Sequence, residues 1–294
     1  MNYKLKIIFL ALVFYIAHIS THAQEVDTSS KATIAFEHIG INIEDTKAAT
    51  EWYTKNLNMK IIRENMTPYY SAFIADSALS MMIELNYNKD FPAISELNFN
   101  YDSFHLAFCV DNINLIKERL LNAGATILSD IRKTESGDQV LVLRDPWGLS
   151  IQFVQRAKPM LNKKGIYFEH VAFNVEDSRA ISKWYVDNLN MVVMREGKAP
   201  SYGMFVADNV KNMMFEFYQH KDSLVIDFKK LNHGSLHIAF SVSDIKLTKE
   251  RILKAKAEVV NDIYNTPSGD SVLNVKDING LPIQFVNRVN PMIK

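Results

Sequence analysis

The chain has 294 residues, 48% of them hydrophobic, with 33 basic side chains against 33 acidic ones. A zero formal balance gives no basic footprint for nucleic acid and no attraction to an acidic membrane surface, so neither partner is expected. The single cysteine, Cys109, excludes an intrachain disulfide framework.

At the start of the chain, Lys4 and Lys6 lead into the apolar run IIFLALVFYIAHI, and Thr21-His22-Ala23 supplies small residues before a break. That order is a signal peptide, residues 1–23, and the run is too short for a span of roughly 20 residues. No cysteine stands at the cut, so an exported chain is expected, with residues 24–33 as a linker and about 270 residues left for two domains.

Residues 36–43 read as a strand, with Ile39, Ile41 and Ile43 on one side and His38, Gly40 and Asn42 on the other. Asp45 caps a helix that shows Ala48, Ala49, Trp52 and Tyr53 at helical spacing and stops near Asn56-Leu57-Asn58. Strand-like runs follow at 69–75 and 80–86. A second unit opens on FHLAFCVDN, continues in a helix near 112–122 ending at Gly124, and closes on DPWGLSIQFV. The tail RAKPMLNKKG carries Pro, Lys and Gly, and its residues 159–165 read as a linker.

Beyond the linker the chain repeats itself. FEHIGINIED at 36–45 returns as FEHVAFNVED at 168–177, an offset of 132. The same offset relates Trp52 to Trp184, Pro68 to Pro200, Glu84 to Glu216, His105 to His237, Gln152 to Gln284 and Arg156 to Arg288. A constant offset over that length is a duplicated domain, 34–158 and 166–290. Within each copy EHIGINIED resembles FHLAFCVDN at an offset of 67, so four units each open on a histidine strand.

Side-chain parity points to a site. Leu106, Phe108 and Val110, or Val171, Phe173 and Val175, face the helices, whereas each histidine shares its face with small or polar residues such as Ala107, Ala172, Asn174, Ala239 and Ser241. That face lines something concave. Glu84 in MMIELNY and Glu216 in MMFEFY sit mid-strand among apolar residues, which is costly unless the carboxylate is paired or holds a metal. Gln152 and Gln284 sit likewise in GLSIQFV and GLPIQFV. The candidate metal ligands are therefore His38, Glu84, His105, Gln152, His170, Glu216, His237 and Gln284, a donor set suited to a divalent Zn, Ni, Co, Fe or Mn. Each centre can form within one copy, or across the two by swapping halves. Arg63 and Arg195 are candidates for binding an anionic substrate, while Cys109, matched by Ser241, reads as a packing residue.

The segments EHIG, EWYTKNLNMKIIRE, MMIELNYN, FHLAFCVDN and DPWGLSIQF, with their second-copy partners, resemble the vicinal oxygen chelate (VOC) superfamily of glyoxalase I, bleomycin-resistance proteins and extradiol dioxygenases. The resemblance implies an α+β fold of tandem βαβββ modules forming two glyoxalase-like domains with cupped half-barrel sheets around a divalent metal. It implies a glyoxalase-like lyase or isomerase acting on a small substrate with vicinal oxygens, in a monomer or homodimer. The alternative is a ligand-sequestering module like the bleomycin-resistance proteins. Three departures narrow this. Glutamine replaces the usual fourth-ligand glutamate and cannot take a proton, so base work falls to Glu84 and Glu216 or a metal-bound hydroxide. Val142 and Asn274 replace the tyrosine of the dioxygenase signature, which disfavours extradiol cleavage. Asn42 and Asn174 replace a glutathione-binding arginine, although Asn88 matches a glutathione-contacting asparagine.

Overall fold

A computed structural model describes residues 33–67 and 69–293; residues 1–23, expected to be a signal peptide, lie outside the described residues. Four modules follow one another, each a strand, a helix and three strands. The first holds β1 (Ile34–Asn42), α1 (Thr46–Leu57), β2 (Lys60–Asn65), β3 (Ser71–Ala75) and β4 (Met82–Asn86). The second holds β5 (Phe104–Cys109), α2 (Ile113–Asn122), β6 (Thr126–Lys133), β7 (Gln139–Arg144) and β8 (Ser150–Gln155). In the third are β9 (Tyr167–Asn174), α3 (Ser178–Leu189), β10 (Val192–Glu196), β11 (Met204–Ala207) and β12 (Met214–Tyr218). The fourth has β13 (Leu236–Val242), α4 (Ile245–Lys254), β14 (Glu258–Asn265), β15 (Ser271–Lys276) and β16 (Pro282–Asn287).

Local chemistry sets the helix ends. Asp45 accepts a hydrogen bond from the Ala48 amide at 3.1 Å, satisfying one of the free donors at the start of α1. Asn58 ends α1 in the left-handed region at φ 55°, and Asn190 ends α3 the same way at φ 56°. Trp52 and Trp184 each donate an indole N–H to a carbonyl beyond the next helix, Ala123 and Ala255, both at 2.8 Å.

The strands form two mixed sheets of eight, β14-β15-β16-β13-β1-β4-β3-β2 and β10-β11-β12-β9-β5-β8-β7-β6. β1 pairs antiparallel with β13, and β5 with β9. Each sheet thus joins one module from each copy, the first with the fourth and the second with the third. This decides the pairing that the ligand types alone leave open. The fold is the expected α+β arrangement of two VOC-type domains, with the halves exchanged between the copies.

A β-bulge at Glu37 puts Glu37 and His38 opposite the single residue Ala239, and another at Glu169 does the same in β9. The bulge shifts side-chain parity, so Phe36 turns into the core against Phe215 (4.9 Å between ring centroids) and Phe240. The apolar faces of both sheets and all four helices share that core, where each fully buried phenylalanine stabilises the fold by roughly 1.5–3 kcal/mol. The opposite, cupped faces carry the histidines.

Candidate metal centres

Two triads converge across the β1–β13 and β5–β9 junctions. His38, Glu84 and His237 place one ligand atom each within 4.8 Å of one another, and so do His105, His170 and Glu216. In the first, His38 Nε2 lies 3.3 Å from Glu84 Oε2 and 3.3 Å from His237 Nε2, and His237 Nε2 lies 3.5 Å from Glu84 Oε2. In the second, His170 Nε2 lies 3.0 Å from Glu216 Oε2.

The outward nitrogens are all engaged. His38 Nδ1–H donates to Glu37 at 2.8 Å and His170 Nδ1–H to Glu169 at 3.0 Å. His105 Nδ1–H donates to the Tyr101 carbonyl at 3.0 Å, and His237 Nδ1–H to the His233 carbonyl at 2.8 Å. Each Nδ1–H is thereby held outward and each Nε2 is aimed into the cup. Burial works against a charge on His38 and His170, but the carboxylates on either side of each ring outweigh it, so a bound cation would take the place of their Nε2 protons.

Glu37 and Glu169 are functional residues that the alternating pattern hides. The sequence places them one residue out of phase with their histidines, and only the bulges bring carboxylate and imidazole together. Two arginines in turn hold the carboxylates. Arg288 donates to both Glu37 oxygens at 2.8 Å and to Asp270 at 2.9 Å. Arg156 likewise grips Glu169 at 2.7 and 2.5 Å and Asp138 at 2.8 Å. Burial pushes the Glu37 and Glu169 carboxyls up, but these arginine forks and the histidines bring both down to about 2. The hint in the sequence is that Glu37 and Glu169, like Arg156 and Arg288, obey the same offset as the ligands.

The donors present fit a divalent cation. Burial, then the charge of His170, lowers His105 to about 4, so its imidazole is neutral, and its buried Nε2 has no hydrogen-bond partner among the described residues. His38 Nε2 and His237 Nε2 face each other at 3.3 Å, a separation that a shared proton bridges and that a bound cation would bridge in its place. Two imidazoles and a carboxylate per centre match what borderline divalent metals take.

The fourth positions differ. Gln152 reaches its centre, its side-chain amide 3.2 Å from His170 Nε2, and a half-turn of that amide presents the oxygen as a donor. Gln284 does not. Its cross-strand neighbour is Asn274 where Gln152 has Val142, and its amide donates to the Asn274 oxygen at 3.2 Å instead.

A cavity of about 600 Å³ opens over the His105–His170–Glu216 centre, walled by Tyr101, Tyr218 and Phe205 and reached by Arg195. Arg63 occupies the equivalent place in the other cup, its Cζ 4.6 Å from the Phe73 ring centroid. Asn88 joins neither centre. Its backbone N–H and C=O bond the Asn42 side chain, and it lines a separate cavity of about 380 Å³ with Tyr69, Tyr70 and Gly234. Cys109 packs among Leu161, Tyr167, Phe205 and Met214, and burial pushes its thiol up to about 11, as suits a packing residue.

Comparison with known proteins agrees with this architecture. The family model described as Glyoxalase/Bleomycin resistance protein/Dioxygenase superfamily matches residues 35–153 and again 167–285. A lactoylglutathione lyase of Escherichia coli O157:H7 is 27% identical over 124 residues, covering 40% of this chain and 90% of that one. Among solved structures, glyoxalase I from Zea mays superposes with a TM-score of 0.69 at 18% identity, covering 87% of this chain and 93% of that one. A putative dioxygenase from Bacillus subtilis superposes at 0.60 with 11% identity, covering 90% and 88%. The doubled match falls on the two copies that the offset of 132 defines, and the chain belongs to the Glyoxalase/Bleomycin resistance protein/Dioxygenase superfamily.

Proposed function

We propose that this chain is an exported, metal-dependent lyase or isomerase acting on a small substrate with vicinal oxygens, and that the His105–His170–Glu216–Gln152 centre is its reaction site. The observation that carries this reading is the buried, neutral Nε2 of His105, without a hydrogen-bond partner among the described residues and grouped with His170 and Glu216 beneath a cavity large enough for a small molecule. A divalent cation bound there would polarise the substrate's paired oxygens as a Lewis acid.

The chain's own residues do the rest. Glu169 and the Tyr101 carbonyl hold the two imidazoles in orientation, and Tyr101, Tyr218 and Phe205 shape the space above them. Glu216 is the ionisable oxygen donor at the centre, since Gln152 cannot take up a proton. Burial presses its pKa up, yet the hydrogen bond and charge of His170 carry the net shift downward, so the carboxylate is ionised at neutral pH. It is the group placed to accept a carbon-bound proton; Glu84 occupies the same position in the first centre. The glutamine favours a second reading, capture of a ligand without turnover, because it removes a base from each centre.

Metal analysis of the purified chain tests the proposal. Near-stoichiometric divalent metal is expected, falling when His105 and His170 are changed to Ala. A metal-free wild type that nevertheless binds small aromatic ligands would support sequestration instead. Export predicts a mature chain starting at Gln24, which N-terminal sequencing of the secreted or periplasmic protein would reveal.

A further inference from the structure

One row of side chains crosses the inner face of the second cup. Arg195 stands opposite Phe205, Phe205 opposite Glu216, Glu216 opposite Ala172, and Ala172 opposite His105. Adjacent strands lie about 4.8 Å apart, so the backbone of Arg195 is roughly 10 Å from that of Glu216. Its side chain closes much of that gap by lying over Phe205, with Cζ 4.1 Å from the ring centroid. A bulge between Val193 and Arg195 sets the arginine onto the cupped face. The first cup repeats every part: Arg63, Phe73, Glu84, Gly40 and His237 form the same row, with a bulge between Ile61 and Arg63.

Arg195 differs from Arg156, the buried arginine of the same cavity, which Arg132 also lines. Arg156 is buried and satisfied on both sides by Glu169 and Asp138. Those carboxylates are thereby committed, Glu216 is committed to His170, and Arg195 forms no ion pair among the described residues. Burial, followed by the like charge of Arg156, works against its charged state. A guanidinium preorganised on an aromatic ring, lining a cavity and lacking a counter-ion, is a ready receptor for a carboxylate or phosphate.

We infer that this cavity takes a small substrate whose vicinal oxygens are followed by an anionic terminus, a carboxylate or a phosphate, and that Arg195 holds that terminus. The placement of the vicinal oxygens rests on the metal-centre reading proposed above; the anion site rests on Arg195 and Phe205.

Matched probes test this in the zinc-loaded full chain by isothermal titration. 2-Oxopentanedioate is compared with 2-oxopentanoate, and dihydroxyacetone phosphate with dihydroxyacetone. In at least one pair the member bearing the distal carboxylate or the phosphate binds about tenfold or more tightly, the scale of a charge-assisted hydrogen bond. R195Q brings the ratio to near one with zinc content unchanged, and Arg195→Lys keeps an intermediate ratio. The pair that shows the preference distinguishes carboxylate from phosphate. Equal affinities within both pairs, or a preference that survives R195Q, overturns the inference. Failure of the metal reading has a different signature, because zinc is then not retained. In that event inorganic phosphate titrated into the metal-free chain and into R195Q isolates the contribution of Arg195: loss of binding in R195Q upholds the anion site, and indifference to R195Q removes it.

Discussion

His170 shows how much one residue is asked to do. Its Nδ1 is tied to Glu169, and its Nε2 meets Glu216 at 3.0 Å and Gln152 at 3.2 Å, so the ring has no freedom to leave the cup. Glu169 is negative only because Arg156 and His170 outweigh its burial, and that charge makes the imidazole a stronger donor. Changing Glu169 to Gln keeps an acceptor near Nδ1 but removes the charge. Metal affinity at the second centre should fall about 10–100-fold with no ligand removed, and a competitive zinc titration would measure it. An unchanged affinity would show that the carboxylate is only a packing partner of Arg156. Asp145 illustrates the opposite balance. It accepts hydrogen bonds from Tyr53 Oη at 2.6 Å and from the Leu149 and Trp147 amides, yet burial dominates and raises its carboxyl to about 6. Because the folded-state pKa exceeds the unfolded value near 4, its contribution is fully present below pH 4 and is lost as pH rises through 6. About two pKa units correspond to a loss of about 3 kcal/mol. Asp145→Asn should therefore lose less stability than the wild type between pH 4 and pH 7, as read from urea unfolding at the two pH values.

At the level of the strand, the histidine repeats of the sequence translate directly into structure, whereas the bulges do not. Alternation from His38 onward places His38 and Gly40 on the cupped face, and the helix caps at Asp45 and Asn58 follow from residue type alone. Glu37 and Glu169 were illegible because a bulge is a two-against-one register, and register depends on a partner strand more than 60 residues away along the chain. Gln284 depends on a neighbouring strand in a similar way: the partner of its amide is Asn274, which its own segment does not reveal. Gly40 marks a further cross-strand dependence. A Cβ built there would lie 2.0 Å from Cε1 of His237, whereas the equivalent residue in the other cup, Ala172, carries a Cβ opposite His105. The glycine lets His237 settle against β1 and approach His38 and Glu84; His105, facing alanine, makes no such hydrogen bond through Nε2. Gly40→Ala should push His237 back at a cost of about 1–3 kcal/mol from overpacking. In a metal titration the first centre should weaken while the second keeps its affinity, and a titration identical to wild type would contradict the role given to Gly40.

Across the whole molecule, the decisive feature is that neither copy owns a complete centre. His38 and Glu84 come from the first copy and His237 from the second, while His105 and Gln152 meet His170 and Glu216 in the reverse sense. The copies are also laced by reciprocal bonds: Asp208 accepts from the Phe36 amide at 3.1 Å, and Asp76 from the Phe168 amide at 3.0 Å. A chain ending at Lys158 would leave β1 without β13 and β5 without β9, two fully buried strands with open edges. Exposed strand edges of that kind recruit another chain. Because β5 is the counterpart of β13, and β1 of β9, a second copy of the half-chain can supply both missing neighbours through the same antiparallel register. The half-chain is therefore expected to be a dimer with two metal ions, each held by His38 and Glu84 of one subunit and His105 of the other. Light scattering with metal analysis would check this, and His105→Ala mixed with Glu84→Ala would leave one intact centre per heterodimer. A folded, metal-binding monomer of the half-chain would mean that each copy can complete its own centre, contrary to the sheet pairing on which the site depends.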